Sequence, residues 1–327
     1  MFDFKAEQYD AYKLEYHQFV RLKNEPIYSS TSFNTEYMST IVALLKYPMI
    51  AAAREKKTFI VVPSIFNSPE ILFLNKQQNF IENLQLQGDV YLVNWLENDQ
   101  QLLMEDYVCE LRNILGIFAN DKVDLIGHCI GGNIAIALAK VDNVSSLTLL
   151  TCPWDYSHFD KWLCVYDSLG LDKSLDNHEF VPKIYIQIMF FLMFPSQFQE
   201  KINKYFELTS DADKELFMQV EDWLQSGNKI SKSIYREIIQ DFCQRNILHN
   251  KNWYIGADLV ELNNIEIPVC IVYAKEDQIV PYISTEPLQK QIKNTTLIEV
   301  EGGHIGYLIS SKSKFQTQYN QWLLENR

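Results

Sequence analysis

One cysteine stands where a sharp strand-to-helix turn would present a nucleophile. The apolar run Val123–Ile126 leads directly into the segment GHCIGG (residues 127–132), and a helical pattern follows at once. This order matches the G-x-S-x-G turn, in which a strained backbone holds a nucleophile clear of the chain, with Cys in place of Ser. Because a thiolate is the reactive form of cysteine, the pattern predicts nucleophilic catalysis by Cys129.

The three glycines of this segment are expected to be steric requirements. Cβ atoms at Gly127 and Gly131 would collide across the turn, and Gly132 would let the following helix pack close to the strand. The N-terminus of that helix would direct backbone N–H groups at Cys129, where they favour a thiolate and stabilise an oxyanion.

Two backbone amides are the candidates for an oxyanion hole. One is the amide of Ile130, the residue after the nucleophile. The other is expected from the loop that follows the apolar run Thr58–Val62, near Ile65 or Phe66. A tetrahedral intermediate formed at the cysteine would therefore be stabilised from two separate parts of the chain.

A nucleophile at such a turn needs an acid and then a histidine further along the chain. Asp277 follows the apolar run Val269–Tyr273, and His304 follows the run Thr296–Val300. Each residue thus lies just past the carboxyl end of a predicted strand, within reach of the turn. His304 would accept the thiol proton, and Asp277 would orient the imidazole and stabilise its cationic form.

Other reactive residues near these motifs are interpreted as structural. His128 precedes the nucleophile but should point away from it at such a turn. Glu276 could substitute for the acid, although it lies one position early. Cys152 and Cys270 lie in or just after strands and are interpreted as core thiols. The six cysteines form no C-x-x-C pair and no zinc-like spacing with histidine, so no metal site is expected.

Short apolar runs alternate with helical patterns along most of the chain. This alternation predicts an α/β class, with a mostly parallel central sheet, flanking helices and the chemistry at the carboxyl ends of the strands. The predicted strands are Thr58–Val62, Val90–Val93, Val123–Ile126, Leu147–Leu150, Val269–Tyr273 and Thr296–Val300. The predicted helices include Gln77–Leu86, Asp106–Phe118 and Asn133–Lys140.

The alternation stops over residues 155–252, which have helical patterns, many aromatic residues and no obvious strands. We interpret residues 1–327 as one catalytic domain, and 155–252 as a helical cap inserted over the sheet's carboxyl edge. Inside it, the almost wholly apolar run Ile184–Phe194 lies between Pro182 and Pro195. This run is interpreted as a buried cap helix, as a lid over the nucleophile, or as a surface for an apolar product, a lipid or a partner.

Composition narrows the class of function. The 327 residues are 47% hydrophobic, enough for a full core, and the net charge of −13 argues against a nucleic-acid partner. No run approaches the roughly 18 apolar residues of a membrane span, and residues 1–16 lack the apolar centre of a signal peptide. With cysteines in no paired spacing, these features predict a protein of the reducing cytoplasm.

Three motifs together carry a resemblance to a known family. They are the G-x-C-x-G-G box at residues 127–132, the Asp-x-x-Val-Pro box at Asp277–Pro281 and the Gly-Gly-His-Ile-Gly box at Gly302–Gly306. With weaker matches elsewhere from about Thr58 onward, the chain resembles the poly(3-hydroxyalkanoate) synthases, the bacterial polyester polymerases. It is similar in particular to the short type that acts with a second subunit. The resemblance implies an α/β-hydrolase fold.

The resemblance also implies a reaction and its partners. Cys129 would attack a 3-hydroxyacyl-CoA thioester, release CoA and hold the acyl group until the hydroxyl of another hydroxyacyl unit attacks it. His304 would act as the base, and Asp277 would orient it or aid hydroxyl activation. No resident cofactor is implied, because acyl-CoA enters as substrate. The implied partners are a second synthase subunit, a homodimeric copy and the surface of a polyester granule in the cytoplasm.

The chain departs from the family in the loops around the motifs. Asn67-Ser68 stands where Asn-Arg is usual, Asn94-Trp95-Leu96 where Asp-Trp-Gly is usual, and Gln278 where the acid is usually followed by His.

Because of these departures, two other functions stay open. One is a thioesterase or esterase on the same fold, against which the cysteine counts. The other is a non-catalytic granule-associated relative, against which the complete set Cys129, Asp277 and His304 counts.

Overall fold

A computed structural model describes residues 6–22, 33–50, 56–75 and 77–326. The predictions that concern Met1–Lys5 lie outside the described residues. Within the described part of the chain, no helix is both long and apolar enough to cross a membrane.

An eight-stranded sheet runs through the centre of the molecule. Its strands are β1 (Asn34–Met38), β2 (Val42–Tyr47), β3 (Lys57–Val62), β4 (Gly88–Trp95), β5 (Val123–His128), β6 (Val144–Leu150), β11 (Val269–Ala274) and β12 (Thr295–Val300). Their order across the sheet is β1-β2-β4-β3-β5-β6-β11-β12. Strands β3 to β6, β11 and β12 are parallel to one another, whereas β1 and β2 join one edge in antiparallel pairs. The predicted mostly parallel α/β sheet is confirmed.

Both faces of the central strands are buried, which explains why they read as continuous apolar runs. In β3, Ile60 and Val62 pack into the cluster on one face, and Phe59 and Val61 pack into the cluster on the other. Alternate side chains of a strand point to opposite faces, so a strand covered on both sides needs apolar residues at every position. The edge strand β1 is mostly exposed and shows no such run.

Thirteen α-helices are described along the chain. They are α1 (Ala6–Leu22), α2 (Phe80–Gln85), α3 (Met104–Ile117), α4 (Ile130–Ala137), α5 (Asp160–Ser168), α6 (Leu171–Ser174), α7 (Lys183–Met193), α8 (Pro195–Glu207), α9 (Asp211–Ser226), α10 (Lys232–Glu237), α11 (Tyr282–Gln291), α12 (Gly303–Ile309) and α13 (Phe315–Glu325). Short 3₁₀ turns cover Pro69–Leu72, Tyr156–His158, Leu175–Asn177 and Leu262–Asn264, and a π-helical turn covers Ile238–Gln244.

Helix boundaries differ from the predicted ones at several positions. The first predicted helix begins at Phe80 rather than at Gln77, because the side chain of Asn79 accepts a hydrogen bond from the Glu82 amide and caps the helix. The helix after the nucleophile begins at Ile130, three residues earlier than predicted. This earlier start places the helix N-terminus directly at the cysteine.

Helices α5 to α10 occupy the stretch between β6 and β11 in which a cap is predicted. The expectation that this stretch lacks strands is wrong at one place, where β7 (Phe180–Val181) pairs antiparallel with β8 (Ile230–Ser231). A second two-stranded pair, β9 (Tyr254–Ile255) with β10 (Asp258–Leu259), follows it. The division into one catalytic domain with a cap over 155–252 stays a prediction.

Helix α7 buries part of its apolar surface and exposes the rest. Met189 and Met193 are buried, and Phe190 packs edge-on against Trp162 of α5 with ring centroids 5.0 Å apart. Ile184 on the same helix is 53% exposed. The helix therefore packs within its own region and also presents apolar side chains to its surroundings, and its role as a lid over Cys129 stays a prediction.

The N-terminal helix α1 packs against α8 and α9. Tyr12 is buried among Ile202, Tyr205 and Met218. Its hydroxyl donates to Oε2 of Glu221 at 2.8 Å. The sequence did not predict this packing, because the contacts join residues about two hundred positions apart in the chain.

Candidate active site

The backbone at Cys129 has the strained shape that the sequence motif predicts. Strand β5 ends at His128, helix α4 begins at Ile130, and Cys129 between them has φ 54° and ψ −129°. A residue with a side chain seldom adopts a positive φ, and such strain persists only where the surroundings enforce it. One constraint is the Cys129 amide, which donates to the carbonyl of Leu150 at 2.9 Å.

Each glycine of the segment avoids a specific collision. A Cβ at Gly127 would lie 2.5 Å from the Cα of Gly132, so Gly127 and Gly132 are the two glycines that approach each other across the turn. A Cβ at Gly131 would lie 2.4 Å from the carbonyl oxygens of Val62 and Pro63. Gly131 is thus required by the end of β3, and not by Gly127 as the sequence suggested.

Gly132 allows helix α4 to approach the residues after β6. A Cβ at Gly132 would lie 2.5 Å from the Sγ atom of Cys152. Cys152 and Cys270 are fully buried, as predicted for core thiols. Burial, followed by the negative charge of Cys129, raises the pKa of the Cys152 thiol well above its usual value, so Cys152 stays protonated.

Asp277 and His304 form a direct hydrogen bond. The Nδ1 atom of His304 lies 2.8 Å from Oδ2 of Asp277. The other oxygen of Asp277 accepts from the amides of Ile279 and Val280, both at 2.9 Å. The carboxyl group is buried, and these three hydrogen bonds satisfy both of its oxygens. The neighbouring Glu276 is exposed, which favours Asp277 as the acid.

Two glycines set the position of His304 at the start of α12. Gly302 has φ 95° and Gly303 has φ 68°, both in the region that favours glycine. A Cβ at Gly302 would also lie 3.1 Å from backbone atoms of Gly306. The Gly-Gly pair of the sequence motif therefore makes the tight turn that brings the histidine from β12 to the nucleophile.

His304 also interacts with Cys129, which completes the chain from thiol to carboxylate. Burial lowers the pKa of His304, but the charges of Cys129 and Asp277, with the hydrogen bonds that the imidazole makes to both, outweigh burial and raise it to about 10. The imidazole of His304 is therefore held protonated at neutral pH beside the nucleophile. Such an arrangement can activate a thiol for attack and hold a proton for a leaving group.

The two predicted oxyanion donors have different surroundings. Ile130 is buried at the first position of α4, where its amide belongs to the free N–H groups of a helix N-terminus. The amide of Phe66 donates to the hydroxyl of Ser64 at 3.2 Å. Phe66 and Cys129 pack against the same apolar cluster. The assignment of these two amides to an oxyanion hole stays a prediction.

His128 lies beside the histidine of the site, a position that the sequence did not predict. Its ring centroid is 5.6 Å from that of His304, at an interplanar angle of 34°. Burial, and then the charge of His304, lower the pKa of His128 to about 3, so this ring is neutral. Among the described residues, its Nε2 atom has no hydrogen-bond partner.

A further group of buried polar side chains stands behind the nucleophile. The hydroxyl of Tyr156 donates to Oδ1 of Asn133 at 2.9 Å, and Nδ2 of Asn133 donates to the carbonyl of Pro153 at 2.7 Å. Thr151, directly after β6, has a φ of 45°.

In the described part of the chain, His, Cys, Asp and Glu residues form no group of three or more that could hold a metal ion.

The site and the sheet define the class of protein. The sequence profile of the α/β hydrolase fold family matches residues 74–310. The chain belongs to the α/β hydrolase fold family. Two solved structures have the same fold. A bacterial membrane phospholipase A superposes with a TM-score of 0.55 and 14% sequence identity, covering 98% of this chain and 92% of its own. The monoacylglycerol lipase of Paleococcus ferrophilus superposes with a TM-score of 0.55 and 16% identity, covering 87% of this chain and 99% of its own.

Curated relatives agree with the resemblance that the motifs indicate. The protein of Haloferax mediterranei named poly(3-hydroxyalkanoate) polymerase subunit PhaC is 25% identical to this chain, and the match covers 85% of this chain and 60% of that protein. The corresponding protein of Thiocystis violacea is 25% identical over 88% and 87%, and that of Allochromatium vinosum is 27% identical over 88% and 87%. The chain thus spans less than two thirds of the archaeal relative and most of each bacterial one. The resemblance to the polyester synthases is confirmed.

Proposed function

We propose that this protein is a polyhydroxyalkanoate synthase-like acyltransferase that polymerises 3-hydroxyacyl-CoA through a covalent acyl-cysteine and releases CoA. The observation that supports this most is the connected set Cys129, His304 and Asp277 in a chain whose relatives are named polyester polymerase subunits. The set provides a nucleophile, a proton carrier and an orienting carboxylate.

The first half-reaction is acylation of the cysteine. The Cys129 thiolate attacks the thioester carbonyl of 3-hydroxyacyl-CoA, and a C–S bond forms as the carbonyl becomes an oxyanion. Backbone amides stabilise this charge. The oxyanion then collapses, the bond to CoA breaks, and the departing CoA thiolate takes a proton from the imidazolium of His304. The energy of one thioester is conserved in the other.

The second half-reaction extends the polyester. His304, now neutral, removes the proton from the hydroxyl of another hydroxyacyl unit, and the resulting alkoxide attacks the acyl-cysteine. An ester bond forms and the Cys129 thiolate leaves, so that the imidazolium–thiolate pair is restored. Asp277 keeps the imidazole oriented throughout. These steps use only side chains and substrate, so we propose no resident cofactor.

The partners and the location belong to the same proposal. A second synthase subunit, a homodimeric copy and a polyester granule surface are the proposed contacts, in the cytoplasm. The half-exposed apolar side chains of α7, among them Ile184, suit contact with an apolar polymer or a partner. All six cysteines of the chain are free thiols, which suits a reducing compartment.

Product analysis tests this function against hydrolysis. Purified protein is supplied with 3-hydroxybutyryl-CoA, and released CoA, polymer and free 3-hydroxybutyrate are measured together. Polymer formed in proportion to CoA supports the proposal. CoA release with free hydroxyacid alone would instead identify a thioesterase. Absence of CoA release from the wild type, with Cys129 unlabelled, would indicate a non-catalytic relative.

A further inference from the structure

The loop that follows β3 is held from one side by the segment that joins α9 to β8. The backbone N–H of Asn228 donates to the carbonyl of Phe66 at 2.7 Å. Its side-chain Nδ2 donates to the carbonyl of Ile65 at 3.0 Å. One residue therefore fixes two successive carbonyls of the loop.

Trp223, near the C-terminal end of α9, makes two more hydrogen bonds to the same loop. Its indole Nε1 donates to the carbonyl of Ser68 at 2.9 Å. Its own carbonyl accepts from Nδ2 of Asn67 at 3.3 Å. Trp223 is buried, so these bonds are largely shielded from water. The loop is thus bound at four consecutive residues, which gives its backbone one defined orientation.

The bonds to Asn228 determine where the loop amides point. The peptide bonds of the described chain are all trans, and in a trans peptide the N–H points opposite to the C=O. Since the carbonyls of Ile65 and Phe66 face Asn228, the amides of Phe66 and Asn67 face the other side of the loop. The Phe66 amide donates to the hydroxyl of Ser64 at 3.2 Å, so the Asn67 amide is the N–H group that this side of the loop directs toward an anion.

We propose that Asn228 is a positioning residue for acyl transfer, which fixes the loop 65–68 so that one of its amides completes the oxyanion hole at Cys129. This inference rests on the proposed function. The start of the loop already lies against the nucleophile turn, because the carbonyls of residues 62 and 63 are the atoms that exclude a Cβ at Gly131. Asn228 lies 163 residues after Ile65, so sequence spacing does not reveal the link.

Two variants and one matched control test this role. Asn228→Ala removes the side-chain bond to Ile65 and keeps the backbone bond to Phe66. Asn228→Asp keeps the shape but replaces the donor with a carboxylate, which repels the carbonyl. The control is Asn264→Ala, which removes a single side-chain bond to Glu261 at an exposed site away from the loop.

Two reactions of Cys129 separate positioning from general structure. Acylation by 4-nitrophenyl acetate needs an oxyanion hole, whereas alkylation by iodoacetamide needs only an accessible thiolate. Loss of an oxyanion donor costs about 10²–10³-fold in rate, and a displaced donor costs less. We expect both Asn228 variants to acylate roughly tenfold to a hundredfold more slowly, with alkylation of the Cys129 peptide within about twofold of the wild type. The control should match the wild type in both reactions.

Equal acylation rates in the wild type and both Asn228 variants would overturn the proposal. So would a parallel loss of acylation and alkylation, because that pattern indicates a general structural role. Failure of the proposed function gives a different result. A wild type that reacts with 4-nitrophenyl acetate but not with 3-hydroxybutyryl-CoA would refute the substrate class, while the comparison at Asn228 would still decide the role of that residue.

Discussion

The environment of His304 links the chemistry of the site to its stability. Its side chain is 10% exposed, and it contacts two groups that carry negative charge when ionised. A buried cation would be costly without partners, but here the Asp277 carboxylate and the Cys129 side chain both interact with it. The imidazole of His304 is therefore held protonated beside the nucleophile.

The raised pKa of His304 predicts a pH-dependent contribution to stability. A pKa raised from 6.5 to about 10 means that the folded protein holds this proton more tightly than the unfolded chain. The stabilisation is complete below pH 6.5, declines as the pH rises and is lost above about 10.

Thermal unfolding of the wild type and of His304→Gln, measured from pH 6 to 10, checks this linkage. We expect the wild type's advantage in Tm to shrink steadily over that range. The variant Cys129→Ala serves as a comparison, because it removes the larger of the two charge interactions that raise the pKa of His304 and should narrow the pH range over which this stabilisation is lost. A difference in Tm that stays constant across the range would contradict the proposed charge state.

His304 and Asp277 are expected to contribute unequally to acylation. His304 carries a proton in both half-reactions, so His304→Ala should lose general acid–base catalysis, worth about 10²–10⁴-fold in rate. Asp277→Asn keeps two acceptor bonds from Ile279 and Val280 through its side-chain oxygen and should retain some acylation. Single-turnover acylation by 3-hydroxybutyryl-CoA provides the measurement. Equal loss in the two variants would refute this division of roles.

At the scale of the elements, the nucleophile turn depends on glycines whose roles can be separated. Gly131→Ala should destabilise the protein by about 1–3 kcal/mol and abolish acylation, because its Cβ would meet two backbone carbonyls that cannot move aside. The control is Gly116→Ala in α3, where nothing lies within 4 Å of the added Cβ.

That control should stabilise the protein by about 0.5–1 kcal/mol, because alanine restricts the unfolded chain and favours the helix. Urea unfolding and single-turnover acylation measure both effects. A tolerated Gly131→Ala would show that the end of β3 does not constrain the turn.

The sequence predicts those elements whose pattern follows from local geometry. Five of the six predicted strands, β3 to β6 and β11, read directly as apolar runs because both of their faces are buried, and the turn at Cys129 is specified by its glycines and by the adjacent strand and helix. The hairpin of β1 and β2 was missed, because β1 is mostly exposed and has no apolar pattern. The strands β7 and β8 were missed because two residues each carry no period.

The contacts between distant residues could not be predicted in the same way. The order acid then histidine predicts Asp277 and His304, since both follow strands of one parallel sheet. By contrast, the bonds from Asn228 to the loop after β3 and the contact of His128 with His304 depend on how separate segments pack. No spacing in one sequence carries that information.

At the scale of the whole molecule, helix α1 is attached to the rest of the chain through a buried polar contact. Glu221 on α9 accepts from Tyr12 at 2.8 Å and from Lys201 at 2.6 Å. Burial and the Glu221 charge raise the pKa of the Tyr12 hydroxyl, so it acts as a donor throughout the physiological range. Loss of this donor leaves a buried carboxylate oxygen with one fewer partner.

We therefore expect Tyr12→Phe to lower the free energy of unfolding by about 1–3 kcal/mol, because a hydrogen bond to a buried charged group is lost. Tyr254→Phe, at a residue that is 51% exposed, serves as the control and should change stability little. Urea unfolding of the two variants measures the difference. An equal and negligible effect in both would show that α1 is held by apolar packing alone.

The intact mass of the protein after brief exposure to 3-hydroxybutyryl-CoA shows directly whether Cys129 carries the acyl group. We expect a hydroxybutyryl adduct that maps to Cys129, is absent from Cys129→Ala and reaches only a trace in Cys129→Ser, since a hydroxyl is much harder to deprotonate than a thiol. The fold of Cys129→Ala, checked by its unfolding midpoint, should be retained. An adduct on Cys129→Ala equal to that on the wild type would contradict the claim that Cys129 carries the acyl group.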